Sequence, residues 1–411
     1  MSITISVPDT LRRQVEAASQ GRNTILYTAK GQPCFMAVIP RFTLQSIDAS
    51  LGTGDHPAFI VSGISKSEIF IGQYIGFSSN GEMISVPGVD PIRSINFDNS
   101  VNLARANGTG WHIMTNAEWA ALALWCWKNG TQPRGNSDYG RSSDLTTERA
   151  VDAATGRLAA ATGTATSATR TGSGPASWRH DQTPFGIADL AGNVFEWAAG
   201  MRINAGEIQI IENNNAALNA TDLSSGSASW QAIDGSNGNL VAPGSANTVK
   251  YATSGTAAYT LVRTSGSSFE GMSNPGTTPV ATAALEKLRA LGLYPVAGSG
   301  LGGDGFWVDV TSERVPLRGG NWYDGALSGV FALNLNNARS NVNTNIGARP
   351  ALVGRQKLVA YCAARQHTTQ KAAASPARDH HQPDAEKPPR QAAPVTRKRD
   401  RSALPPTPRR C

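Results

Sequence analysis

Residues 317–352 read LRGGNWYDGALSGVFALNLNNARSNVNTNIGARPAL, and the rest of the chain takes its meaning from them. Arg318, Gly319, Gly320 and Trp322 open the stretch, and Asn345, Ile346, Gly347 and Arg349 close it, like the ends of a packed strand pair. Between them lie short polar, Asn-rich runs with neither a helical nor an alternating period, which read as exposed loop. A rigid frame carrying a permissive surface is how binding sites are usually built.

Around this stretch, 411 residues leave room for one large domain or two ordinary ones. With 40% hydrophobic residues and nine Trp there is material for a core, while 42 Gly favour turns and loops over long helices. No apolar window is long enough for a transmembrane segment. The first residues, MSITISVPDTLRRQV, lack the basic start and apolar run of a secretion signal. The formal charge of +7 is unevenly placed. From Arg355 onward there are thirteen Lys or Arg against four Asp or Glu, so the preceding residues carry 24 basic and 26 acidic groups, a balance of −2. Specific nucleic-acid binding by the folded body is therefore not expected. Cys34, Cys126, Cys362 and Cys411 form no CxxC, which argues against a disulfide framework or a structural zinc site and for reduced thiols.

Residues 2–6 read as a strand, 7–19 as an amphipathic helix, and 24–28 and 34–39 as two strands joined by a turn. Together, residues 1–50 form a small strand–helix–strand unit suited to attachment or oligomerisation. Residues 69–75 alternate like a strand. The clearest helix spans 115–128, with Thr115 as N-cap and Glu118 three residues on as its capping-box partner. Its Trp119, Leu122, Ala123 and Cys126 read as core. Residues 129–182 are rich in Gly, Ser, Thr and Ala, with little to bury. A second compact motif, TPFGIADLAGNVFEW at 183–197, packs apolar anchors between Gly186 and Gly192, with Asn193 and Trp197 part of the scaffold. Residues 204–280 return to low hydrophobicity and read as an insertion or surface loops. Residues 282–291 read as a short helix ended by Gly292, and 355–411 as a disordered basic tail rich in Pro, Ala and Arg.

Most chemical motifs dissolve on inspection. GSGLGG at 298–303 matches GxGxxG but precedes a strand-like DGFWVDV, where a dinucleotide site needs a helix; it reads as a turn. The histidines, His56, His112, His180, His367, His380 and His381, show no metal-ligand spacing. Asp189 and Glu196 read as packing hydrogen bonders rather than a catalytic pair. No nucleophile–base set can be assembled. Basic clusters at 397–399 and 409–410 read as solvated charge.

Taken together, MTNAEW, GIADLAGNVFEW, RGGNW and NIGARPAL, in this order, resemble the formylglycine-generating-enzyme (sulfatase-modifying factor) branch of the C-type lectin fold. The resemblance covers about residues 56–354. It implies an α+β fold, irregular, with short strands, few helices and long loops: a C-type-lectin-like domain over residues 55–354 with an insertion at about 204–280. Enzymatic members oxidise a substrate cysteine with a reactive cysteine pair late in the domain. Residues 301–354 contain no cysteine, so no enzymatic activity and no cofactor is expected. The other readings are a metal-dependent oxidase of the same fold and a structural fibre component. Calcium would suit Asp- and Asn-bearing loops, but no spacing marks a site.

The chain resembles still more closely the variable proteins of diversity-generating retroelements, in which a lectin-type domain has its C-terminal segment rewritten at template adenines. That resemblance makes 317–352 the variable region. It implies variable, ligand-contacting positions at Tyr323, Asp324, Ala326, Leu327, Val342 and Thr344, and further ones at Asn321, Asn336 and Asn337. Arg318, Gly319, Gly320, Trp322, Phe331, Leu333, Leu335, Ile346, Gly347 and Arg349 fall to the scaffold. The first six residue types are all reachable from an AAC codon by changing its two adenines, whereas Lys, Glu, Gln, Met and Trp are not. The implied partner is a protein or glycan ligand on another cell or host surface, bound without enzymatic turnover. The implied location is a phage or prophage tail or a cell surface, and homo-oligomerisation would raise avidity.

Overall fold

In the computed structural model, the described residues are 7–255, 257–263 and 268–354. The strand expected at 2–6 and the basic tail at 355–411, with Cys362, Cys411, His367, His380 and His381, lie outside them. The architecture is mixed α+β, with few helices and many short strands.

The N-terminal helix Val7–Ser19 leads into an antiparallel pair, Asn23–Tyr27 and Pro33–Pro40, close to the elements expected there. This pair does not stand apart as a separate N-terminal unit. Its second strand continues into Glu68–Gly72, then Pro350–Leu352 and Trp111–Ile113, making one five-stranded sheet. The physical reason is burial: Ile25, Met36, Ala37 and Ile39 are covered on folding, and an isolated hairpin could not cover both of its faces.

Helix Asn116–Asn129 begins where its capping box predicts. Thr115 Oγ1 accepts the Glu118 N–H at 3.1 Å, and the Glu118 carboxylate accepts the Thr115 N–H at 2.9 Å. Its sides are buried nearly all round from Asn116 to Leu124, so it is a central rather than a surface helix. The Glu118 carboxylate also meets His112 Nε2 at 3.0 Å and accepts from Asn214 Nδ2 at 2.9 Å, so this buried acid has several partners.

Residues 204–280 are not surface loops. They supply most of an eight-stranded sheet, with Glu207–Ile210 at its centre, whose side chains Ile208, Ile233, Val249, Tyr251 and Leu261 share one core with Leu122, Leu288 and Leu333. The low average hydrophobicity hid strands of only two to four residues, each contributing one or two apolar contacts. Helix Thr282–Ala290 packs Ala284 and Leu288 into that core and ends before Gly292, whose φ is +60°. A helix at Phe97–Arg105, capped by the Asn96 side chain on the Asn99 N–H, had no counterpart in the sequence reading.

A second five-stranded sheet carries the decisive stretch: Phe306–Val308, Leu333–Leu335, Leu317–Arg318, Phe195–Trp197 and Ile346–Gly347, in that spatial order. The two ends of 317–352 therefore flank one strand of the 183–197 motif, Leu317–Arg318 antiparallel and Ile346–Gly347 parallel to it.

Candidate functional site

The frame around the site is held by two buried arginines. Arg349 is 0% exposed, and its Nε and Nη2 donate to both oxygens of Glu196 at 3.0 and 2.6 Å. Its remaining N–H groups reach the Gly72 carbonyl at 2.9 Å and the Ala188 carbonyl at 2.8 Å. One side chain thus ties both five-stranded sheets to the 183–197 motif. Arg318 has no carboxylate partner among the described residues; it donates to Asn116 Oδ1 at 2.6 Å and the Gly292 carbonyl at 2.9 Å, and burial pushes its guanidinium down to about 10. Arg318 remains charged at neutral pH. Glu196 is an ion-pair partner, and Asp189, whose carboxyl burial pushes up, accepts the Gly172 N–H at 2.8 Å. These two acids hold the scaffold.

Backbone geometry sets the turn into the site. Gly320 has φ +81°, and a Cβ there would lie 2.4 Å from Ser328 Oγ, so no larger residue fits without displacing the turn. Gly192 has φ +68° and faces the Asn136 carbonyl, 2.1 Å from where a Cβ would be. Asn193 next to it brackets Thr169, accepting its N–H at 2.8 Å and donating to its carbonyl at 3.1 Å. Trp322 is buried against Ile75 and Val194, its N–H held by the Asn193 carbonyl at 3.1 Å. Trp197 and Gly347 are buried as well. The positions expected as scaffold all lie beneath the surface.

The positions expected to contact ligand divide. Tyr323 and Val342 are each 50% exposed, and Ala326, Thr344 and Asn336 are also exposed. Asp324, Leu327 and Asn337 are half-buried. Asn321 corrects the expectation: it is 1% exposed and serves the turn. Its Nδ2 and backbone N–H donate to Asp324 Oδ2 at 2.7 and 3.1 Å, and its Oδ1 accepts the Tyr323 N–H at 3.1 Å. A residue with its amide used on both sides has little left for a ligand.

Five of the expected positions, Asn321, Tyr323, Asp324, Asn336 and Asn337, line one open groove of about 340 Å³. Its base is Phe195, Trp307, Leu317 and Ile346 from the sheet, and its other polar groups are Asn334, Asn343 and Asn345. Ala326, Leu327, Val342 and Thr344 do not line it. Asn334, Asn343, Asn345 and Trp307 were missed as site residues. The one signal for them was the density of Asn itself, since which Asn turns inward depends on strand pairing.

Tyr323 is exposed yet braced. Its hydroxyl accepts from Asn345 Nδ2 at 2.8 Å, its ring lies 5.8 Å from Trp322, edge to face, and 6.5 Å from Tyr139. Tyr139 comes from the 129–182 segment, where little burial was expected. That segment carries almost no regular structure but holds its place by polar contacts: the Tyr139 N–H on the Trp322 carbonyl at 2.7 Å, and the Glu148 carboxylate bound by Arg134, Ser177 and Trp178. Burial and then the neighbouring Asp324 push the Tyr323 phenol up, and burial pushes the Asp324 carboxyl up to about 6. Asp324 therefore changes from a neutral to an anionic group within the mildly acidic range.

The groove offers amide donors and acceptors, one phenol, one titrating carboxyl and an indole wall, and no lysine or arginine. Such a set can hydrogen-bond and stack against a partner; it contains no nucleophile–base pair. Among the described residues no group of three or more His, Cys, Asp or Glu side chains is placed to hold a metal ion. Cys34 and Cys126 are free and buried, and burial pushes both thiols up, Cys34 to about 12, so neither is a ready thiolate. Among the described residues no helix is long and apolar enough to cross a membrane.

No protein-family model matches the sequence, and no curated protein does. Among solved structures the chain is similar to Treponema denticola variable protein 1, with 13% sequence identity and a TM-score of 0.30, covering 80% of this chain and 98% of that chain.

Proposed function

We propose that this chain is a non-enzymatic, receptor-binding variable protein with a C-type-lectin-like domain, whose surface between residues 317 and 352 is diversified by a retroelement. One observation supports this above the others. Within a single short stretch, the frame residues Arg318, Trp322, Ile346 and Arg349 are buried, while Tyr323, Ala326, Val342 and Thr344 stand exposed. A surface that is to be rewritten must not be part of the core, because most large core changes are destabilising. Of the five large hydrophobic residues that are exposed among those described, two are Tyr323 and Val342. Apolar and aromatic side chains on a rigid base suit protein recognition, as in antibody loops. Display on a phage or prophage tail or on a cell surface, with several copies adding avidity, follows from the same reading.

The test is deep sequencing of codons 317–352 in a growing culture of the source, with a search beside the gene for a reverse transcriptase and a near-identical unmutated repeat. Substitutions clustered at template adenines, with the codons for Arg318, Trp322 and Arg349 spared, are the expected result. An invariant stretch with no repeat nearby would overturn the diversification and leave a fixed ligand to be sought.

A further inference from the structure

A cavity of about 440 Å³ lies between the N-terminal sheet and helix Asn116–Asn129, sharing no lining residue with the Asn-rich groove. Leu122 and Ile39 are its buried apolar walls, and the half-buried rings of Trp125 and Phe185 flank it. At its rim Arg22 lies 4.9 Å over the Phe185 ring and 3.6 Å from Asp181, so the two rim charges offset each other. The Asp181 oxygens are already used, accepting the Thr183 N–H and hydroxyl at 2.9 Å each.

His180 is the unusual wall. It is 8% exposed, and its ring lies 5.3 Å from that of Trp125. Its Nδ1 accepts the Ile187 backbone N–H at 2.8 Å, so in the neutral ring the proton sits on Nε2. Burial pulls the imidazole down to about 4, which keeps it neutral in ordinary conditions. Among the described residues none accepts from Nε2. The ring lines the cavity, and this N–H is not sealed off within the protein, so it is free to donate to a molecule bound there.

We propose that this cavity is a second binding site, for a small and mainly apolar molecule bearing a carbonyl-type oxygen that accepts from His180 Nε2–H. Its apolar body lies against Trp125 and Phe185. The volume is within the usual range of small-molecule sites, and one directed polar contact in an apolar pocket is their usual design. His180, the buried polar side chain of the lining, presents a donor, which selects an acceptor on the ligand.

The experiment uses two probes of nearly the same shape, acetophenone and ethylbenzene, which differ by one carbonyl oxygen. Each is titrated into the full chain while nitrogen-15 spectra follow the histidine rings and tryptophan indoles. Acetophenone is expected to shift His180 Nε2 and the Trp125 indole and to bind at least about fivefold tighter than ethylbenzene. His180→Phe should erase that preference. Should His180→Phe fail to fold, having lost the contact to Ile187, the probe pair on the unaltered chain decides alone. Equal binding of the two probes, saturation by acetophenone without movement of His180, or no binding of either up to its solubility would each overturn the proposal.

Discussion

Trp322 and Tyr323 are neighbours in sequence and opposites in environment: one is 7% exposed, the other 50%. The same split runs through the whole stretch from 317 to 352. At its ends Arg318 and Arg349 bind a carboxylate and carbonyls, and Phe331, Leu333 and Leu335 in its middle join the core, whereas Tyr323, Ala326, Asn336, Val342 and Thr344 meet solvent. The frame is expensive to change and the rim is cheap. The difference arises from partners rather than residue type, since Asn321 in the frame and Asn336 on the rim are the same amino acid, the first 1% exposed and the second open to solvent.

The comparison can be broken most severely at Arg349. Replacing it with Met leaves Glu196 buried without its ion pair and frees the Gly72 and Ala188 carbonyls, which should cost about 3–5 kcal/mol. Urea unfolding measures this; a loss under about 1 kcal/mol would mean that the frame does not depend on the pair.

A smaller effect of the opposite sign is expected at Asp304, beneath the turn that leads to Phe331. It is fully buried, accepts the Phe331 N–H at 2.7 Å, and burial pushes its carboxyl from 3.8 up to about 8. With the folded pKa above the unfolded one, the folded state holds the proton longer. Stability from this group is complete below about pH 4 and is lost as pH rises through 8. Asp304→Asn should remove that dependence and, at pH 9, be more stable than the unaltered chain by on the order of 2 kcal/mol. Parallel melting curves at pH 5 and pH 9 check it, and an unchanged pH profile would sink the idea.

The smallest stability effect belongs to the rim. Tyr323→Ala loses one exposed hydrogen bond to Asn345 and should shift unfolding by no more than about 1 kcal/mol, while abolishing binding of any ligand held in the groove. If this change unfolds the protein as Arg349→Met does, frame and rim are not separate.

How much of this was legible follows from how local each feature is. The helix Asn116–Asn129 was readable because its signal, Thr115 with Glu118, spans four residues and acts within one turn. Arg318, Gly320, Trp322 and Arg349 were recognisable as frame from the motif they share. The strands inside 204–280 were not readable, being too short to show a period, and neither was the helix Phe97–Arg105. Tyr139 was invisible as a neighbour of the site because its place depends on a hydrogen bond to Trp322, far away in sequence.

By itself the sequence determined the ends of the decisive stretch and the polar, loop-like character of much of its middle, since these rest on residue type and near-neighbour spacing, while the α+β class came from the family that its motifs resemble. Only the tertiary structure decided which asparagines face the groove, that Asn321 in its lining is buried and bonded within the turn, and that Tyr139 and Asn345 brace Tyr323. Those facts depend on strand pairing and on contacts between distant segments, where a shift of one residue turns a side chain from the surface to the core.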